Sequence, residues 1–136
     1  MKRFFWLFFL SGISVSAQES KLFSLLTSKQ TGVSFNNKIK DTKESNILLY
    51  ANFYGGAGVG IGDFNNDGLE DIYFAGNLVG DKLYFNKGDF KFEDITKQSK
   101  TEDYDGFSTG ATCLDINNDG WPDIYVFKAG SLKSDD

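Results

Sequence analysis

The chain has 136 residues, 14 basic against 19 acidic, no histidine, one cysteine and one arginine, Arg3. An acidic chain whose only arginine lies at position 3 repels a nucleic-acid backbone and otherwise lacks the side chain that grips phosphate or guanine, so nucleic-acid binding is not expected. The absence of histidine removes the commonest general base and the commonest zinc or copper ligand. A lone Cys113 excludes an intrachain disulfide, and its setting in an apolar stretch reads as a buried strand position rather than a reactive thiol.

The first element is a targeting segment. Lys2 and Arg3 precede the apolar run Phe4–Leu10, and Val15-Ser16-Ala17 supplies small residues before Gln18. This is the layout of a secretory signal peptide, residues 1–17, cleaved after Ala17. The run is about half of the roughly 20 apolar residues that a membrane span needs, so no span is expected once the signal is removed. No cysteine follows the run, which argues against a lipid-anchored start. The expected location is secreted, periplasmic or at the cell surface. Removal of residues 1–17 leaves 12 basic and 19 acidic residues and a net charge of −7.

Residues 18–54 form a lead without internal repetition. Leu22, Phe23, Leu25 and Leu26 suggest a helical turn or an irregular apolar anchor, Thr31–Phe35 a strand, and the polar stretch Asn36–Asn46 a loop. Apolar character returns at Ile47–Tyr50 and Phe53-Tyr54.

From residue 55 the chain repeats itself. Asp63-Phe-Asn65-Asn-Asp67-Gly68-Leu69-Glu-Asp71-Ile-Tyr returns 52 residues later as Asp115-Ile-Asn117-Asn-Asp119-Gly120-Trp121-Pro-Asp123-Ile-Tyr, with 8 of 11 positions identical. Around the first copy the turn residues mark four strands: Val59–Gly62, Asp71–Ala75, Lys82–Phe85, and the alternating Phe90–Ile95. Around the second copy only two strands follow, near 107–114 and 123–127. Residues 55–106 are therefore one repeat, and residues 107–136 an incomplete second.

The expected fold is all-β: a fragment of a β-propeller, with one complete four-stranded blade, about half of a second, and a short irregular lead. Four-stranded units of this length build propellers of about 4–8 blades, and stacked repeats need at least about three units to bury a common core. A piece of a longer propeller is the simplest expectation, and it should leave apolar strand faces and an unpaired edge open.

Each loop sets oxygen-bearing side chains at alternate positions and follows them with a glycine. A hard cation needs that arrangement, because the alternation turns carboxylates inward and the glycine permits the sharp bend. The expected ligands are Asp63, Asn65, Asp67, the backbone carbonyl of Leu69, and Asp71 in the first loop. In the second they are Asp115, Asn117, Asp119, the carbonyl of Trp121, and Asp123. Oxygen donors without sulfur or imidazole favour Ca²⁺. The loop is not an EF-hand, which closes on a twelfth-position glutamate; here that position is Phe74 or Val126. Asparagine, aspartate and glycine also make plain turns, but two copies with five matched ligand positions exceed what turn preference produces.

The Asp-x-Asn-x-Asp-Gly-x-x-Asp pattern, with a Gly-rich strand before it and Ile-Tyr after it, resembles the FG-GAP/VCBS repeat. That resemblance implies a propeller like that of integrin α subunits, with calcium in the loops at the ten positions just named. Lys82-Leu-Tyr-Phe-Asn86-Lys-Gly88 and Phe90-Lys-Phe92-Glu-Asp94-Ile-Thr96 further resemble the inter-loop stretch of secreted ASPIC/UnbV-type (cartilage-acidic-protein-like) proteins, and Leu22–Leu26, Thr31-Gly32 and Phe35-Asn36 resemble the lead of bacterial members.

The expected function is a secreted calcium-binding repeat module for adhesion or ligand binding, its partner an extracellular protein or glycan. No catalytic residue is assigned. One alternative is a carboxylate-dependent enzyme acting on polysaccharide, with Glu93, Asp94, Glu102, Asp103 and Asp105 as its remaining acids. Another is a fragment that does not function alone.

Overall fold

The computed structural model describes residues 22–104 and 106–129. The expected signal peptide lies outside the described residues. Six strands and two single-turn helices follow in the order α1 (Ser28–Thr31), β1 (Val59–Gly62), β2 (Asp71–Phe74), β3 (Lys82–Asn86), β4 (Phe92–Asp94), α2 (Thr96–Ser99), β5 (Phe107–Leu114) and β6 (Asp123–Ala129). No helix among the described residues is long and apolar enough to cross a membrane. The fold is all-β, as the turn spacing indicates.

Strands β1 to β4 form one antiparallel sheet in chain order, and β5 and β6 form a second, two-stranded sheet. Val59 pairs with Phe74 and Gly62 with Asp71, so the first Asp loop is the connection that turns β1 into β2. Leu114 pairs with Asp123 in the same manner, and the second loop joins β5 to β6. The structure thus holds one four-stranded blade and half of the next.

The two sheets meet face to face. Tyr73, Ala75, Leu83 and Ile95 form the buried cluster of the first sheet, and Ala111, Ile124 and Val126 of the second pack against it. Glycines on and just before β1 permit the approach. A Cβ on Gly58 would stand 2.4 Å from the Ala111 nitrogen and 2.5 Å from the Gly110 Cα, and one on Gly60 would stand 2.9 Å from the Cys113 sulfur. The Gly58-x-Gly60-x-Gly62 spacing is therefore a contact surface, with every second residue shaved to let β5 in. Cys113 belongs to this contact and is half-buried; burial pushes its thiol pKa up, as expected of a packed position.

Polar groups fasten the same junction. Asn77, fully buried, donates from Nδ2 to the Ser108 carbonyl at 2.7 Å, while its Oδ1 accepts from Asn37 Nδ2 at 2.6 Å. The Asn77 amide donates to Asn37 Oδ1 at 2.9 Å. The lead thereby reaches both units. Phe53 and Tyr50 also pack on buried Phe107, with ring centroids 6.0 and 5.1 Å away.

The lead departs from the expected elements. Residues 22–26 form no helical turn, and Leu22, Phe23 and Leu25 are exposed. The turn lies at Ser28–Thr31 instead, because Gln30 reaches back to accept from the Thr27 amide at 3.0 Å and hydroxyl at 2.8 Å. Thr31–Phe35 pairs with no strand. Ser34 takes the Tyr84 hydroxyl through its amide at 3.3 Å, and Phe35 stacks on Phe74 at 4.9 Å. The segment covers the face of the first sheet opposite the second unit rather than extending its edge.

The same positions fare differently in the two units. Tyr73 is 3% exposed, and its repeat partner Tyr125 is 50% exposed. Buried Ala75 corresponds to Phe127, which is 49% exposed and meets Tyr125 edge to face at 5.0 Å. The second sheet thus shows water the surface that the first sheet buries against its neighbour.

Candidate metal centre

Each Asp loop is wound by its own side chains around its backbone amides. In the first, Asp63 Oδ1 accepts from the Asp67 amide at 3.0 Å and Oδ2 from the Gly68 amide at 2.8 Å. Asn65 Oδ1 accepts from the same Asp67 amide at 3.0 Å, and Asp67 Oδ1 takes the Leu69 amide at 2.9 Å. Asn65 Nδ2 donates to Asp67 Oδ2 at 2.9 Å, and Asp71 Oδ2 accepts from the Phe64 amide at 3.0 Å.

The second loop repeats all six bonds. Asp115 takes the Asp119 and Gly120 amides at 3.0 and 2.8 Å, Asn117 the Asp119 amide at 3.1 Å, and Asp119 the Trp121 amide at 2.9 Å. Asn117 donates to Asp119 at 2.9 Å, and Asp123 accepts from Ile116 at 3.0 Å. The backbones agree as well: Asn66 and Asn118 have φ of 54° and 59°, and Gly68 and Gly120 both have 87°. A Cβ on either glycine would touch nothing within 4 Å, so glycine is required there by the backbone turn and not by crowding. Residues 63–126 match the FG-GAP-like repeat. No solved structure matches the chain.

The FG-GAP-like stretch runs from the first aspartate of the first loop into β6 and so contains both loops. It points to a propeller-type binding module. Of the ten residues expected from the sequence, the structure brings five into each loop in the same order and with the same bonds. Among the described residues, no three acidic or cysteine side chains stand together as a ready-made cation cage. The carboxylates rest instead on the loop amides.

The donor set fits a hard cation. Every side-chain group is an oxygen donor, and a carboxylate oxygen that accepts one amide retains a second lone pair. Electrostatics points the same way. Asp71 is fully buried, and burial pushes its carboxyl above the usual range; the Asn86 and Phe64 amides pull it down, and the charges of Asp67 and Asp63 push it up again. Three carboxylates in one loop oppose one another, and a divalent cation among them would remove that opposition.

Support for the loops is unequal. The Asn86 amide, at the end of β3, donates to Asp71 Oδ1 at 2.8 Å, so both oxygens of Asp71 are held. Asn86 Nδ2 also donates to the Glu70 carbonyl at 2.9 Å. Asp123 is partly exposed, and among the described residues its only amide is that of Ile116. Sequence reading missed Asn86. Its signal was its place at a strand end, before a Lys-Gly turn, but nothing in the loop pattern itself points to it.

The acids left outside the loops are engaged elsewhere. Asp94 bonds Lys82 at 3.1 Å and the Thr96 hydroxyl at 2.6 Å, and Glu93 lies 3.6 Å from Lys87. Glu102 accepts from the Tyr104 hydroxyl at 2.5 Å, and Asp103 pairs with Lys128. Asp105 lies outside the described residues. A crevice of about 250 Å³ between the two units is lined by Tyr73, Lys100, Glu102, Asp103, Ile124 and Val126. Tyr73 at its base gives its hydroxyl to buried Asp81 at 2.6 Å, and burial first, then that bond, raise its pKa.

Proposed function

We propose that this chain is an extracytoplasmic, calcium-binding FG-GAP/VCBS repeat module that recognises an extracellular protein or glycan. The observation that carries the reading is the bond-for-bond identity of two loops whose only side-chain donors are oxygens. Asp63, Asn65, Asp67, the Leu69 carbonyl and Asp71 would hold one ion, and Asp115, Asn117, Asp119, the Trp121 carbonyl and Asp123 the other. The ion supplies positive charge that fixes the connection between two strands; it performs no chemistry. The protein's part is to curl each loop on its amides and to keep the closing carboxylate in reach. The basic Lys2 and Arg3, the apolar run after them and the small residues before Gln18 support a secreted or periplasmic site. The stretches Lys82–Gly88 and Phe90–Thr96 support the closer likeness to ASPIC/UnbV-type proteins.

Calcium should raise the thermal unfolding midpoint of the full chain, and magnesium should do so far less, because a wrapped all-protein loop suits the larger ion. An unfolding midpoint that ignores calcium at concentrations of about 1 mM and above would contradict the reading.

A second reading is favoured by Leu114, Tyr125 and Phe127, which lie 44%, 50% and 49% exposed on the face of the second sheet turned away from the first unit. In this reading the chain acts as part of a larger array, with a further repeat-like unit seated on that face. The chain alone should then bind a dye specific for exposed apolar surface, and Tyr125→Thr with Phe127→Thr should reduce that binding more than Leu22→Thr with Phe23→Thr in the lead.

A further inference from the structure

Among the described residues, Asn86 is the one outside the first Asp loop that holds it by both backbone and side chain. Its main-chain amide meets Asp71 Oδ1 at 2.8 Å, and its Nδ2 meets the Glu70 carbonyl at 2.9 Å. Its own Oδ1 is occupied by the Gly88 amide at 2.9 Å, which orients the side-chain amide and leaves its N–H groups pointing back at the loop. The segment so gripped, residues 69–71, contributes two of the five proposed donors, the Leu69 carbonyl and the Asp71 carboxylate. In the second loop the closing Asp123 is partly exposed and accepts from the Ile116 amide.

We propose that Asn86 is a positioning residue for the first loop: by clamping the Glu70 carbonyl it sets residues 69–71 before the ion arrives, and so makes the two loops unequal calcium sites, the first tight and the second weak. The proposal rests on the calcium reading of the loops. It goes beyond that reading by assigning the difference between them to one side chain on β3. An outer-shell partner of this kind acts by fixing its ligand's orientation, and its loss commonly lowers metal affinity about 10–100-fold.

Trp121 occupies in the second loop the position that Leu69 occupies in the first, and the only other tryptophan is Trp6. The loops touch, Asn66 Nδ2 donating to the Gly120 carbonyl at 3.4 Å, so emission of terbium, a hard oxygen-seeking cation, sensitised through Trp121 reports uptake by the pair; calorimetry with calcium reads both loops and, on an Asp123→Asn background, the first loop alone. Asn86→Ala removes the clamp and the turn bond together. Asn86→Ser keeps an acceptor for the Gly88 amide but is too short to reach the Glu70 carbonyl.

In the full chain, both variants should lose about tenfold or more in the tighter calcium affinity, with the weaker affinity unchanged and unfolding of the ion-free protein still cooperative. An unchanged tight site in Asn86→Ser, or an equal loss at both loops, overturns the proposal. So does a loss of cooperative unfolding in both variants, which would make Asn86 a residue of the fold and not of the loop. A wild-type chain that takes up neither calcium nor terbium overturns the calcium reading itself, whereas two sites of equal affinity overturn only the part assigned to Asn86.

Discussion

Asp71 and Asp123 close two loops with the same backbone turns and the same six hydrogen bonds, yet Asp71 is sealed from water and Asp123 is not. The difference comes from what surrounds the loop. The first lies in a sheet of four strands, where β3 brings Asn86 up against Asp71 and Glu70. The second lies in a sheet of two, and among the described residues no third strand reaches it. A local sequence can wind a loop on its own amides, but burying its closing acid takes strands from farther along the chain. The contrast extends to the sheet faces, where Tyr73 is covered and Tyr125 is half open.

The comparison can be broken most forcefully at the glycines. Gly58→Ala puts a methyl 2.4 Å from backbone that cannot swing aside, whereas Gly110→Ala meets the half-exposed Phe127 ring at 3.2 Å. Overpacking against backbone should cost about 3 kcal/mol at Gly58, and the equivalent change at Gly110 less than about 1 kcal/mol. Urea unfolding of the two variants checks this; equal losses would show that the two units do not meet through β1 and β5.

Saturating calcium ranks next. With free ion at about 100 times the dissociation constant, one site adds about 2.7 kcal/mol to stability. Asp71→Asn should remove more of that calcium-dependent gain than Asp123→Asn, measured as the shift in unfolding midpoint between chelator and calcium. Asn77→Ala should cost about 2 kcal/mol, since it strands the Ser108 carbonyl and the Asn37 amide at a buried junction. It should also loosen the second loop more than the first, because the first loop keeps its own sheet.

The smallest effect is a pH dependence confined to the first unit. Burial raises the Asp94 carboxyl, but the Thr96 hydroxyl and amide and then Lys82 outweigh it and hold the group below its ordinary value of 3.8. A depressed carboxyl stabilises the fold above its unfolded value, and that contribution is lost as pH falls through the depressed one. Asp94 and Lys82 are partly exposed, so solvent screening keeps the effect under about 1 kcal/mol. Thr96→Val should flatten the loss of stability below about pH 4. A curve that keeps the wild-type slope would show that Thr96 does not hold Asp94.

Much of this was legible in the sequence. Alternating apolar residues and turn signals marked all six strands, and the spacing of aspartate, asparagine and glycine marked both loops, because these patterns act over a few residues. The lead was less legible. Its helical turn depends on Thr27 and Gln30, which carry no apolar periodicity, and the strand expected at Thr31–Phe35 became a cover for Phe74 and Tyr84 through contacts made far along the chain. Asn37 sits in a stretch that reads only as polar loop, although it locks Asn77 from 40 residues away. Asn86 was hidden for the same reason: its partners Glu70 and Asp71 lie at the end of the loop and the start of β2, and its own turn before Gly88 accounts for it well enough when read alone.

On the proposed reading both matched loops bind calcium, and the first, with its closing acid buried, binds it more tightly. Calorimetric titration of the full chain with calcium tests it most directly. The account predicts two ions per chain with separate affinities, the tighter one abolished by Asp71→Asn and the weaker by Asp123→Asn. No heat of binding, or a pair of identical sites that respond alike to the two substitutions, would contradict it.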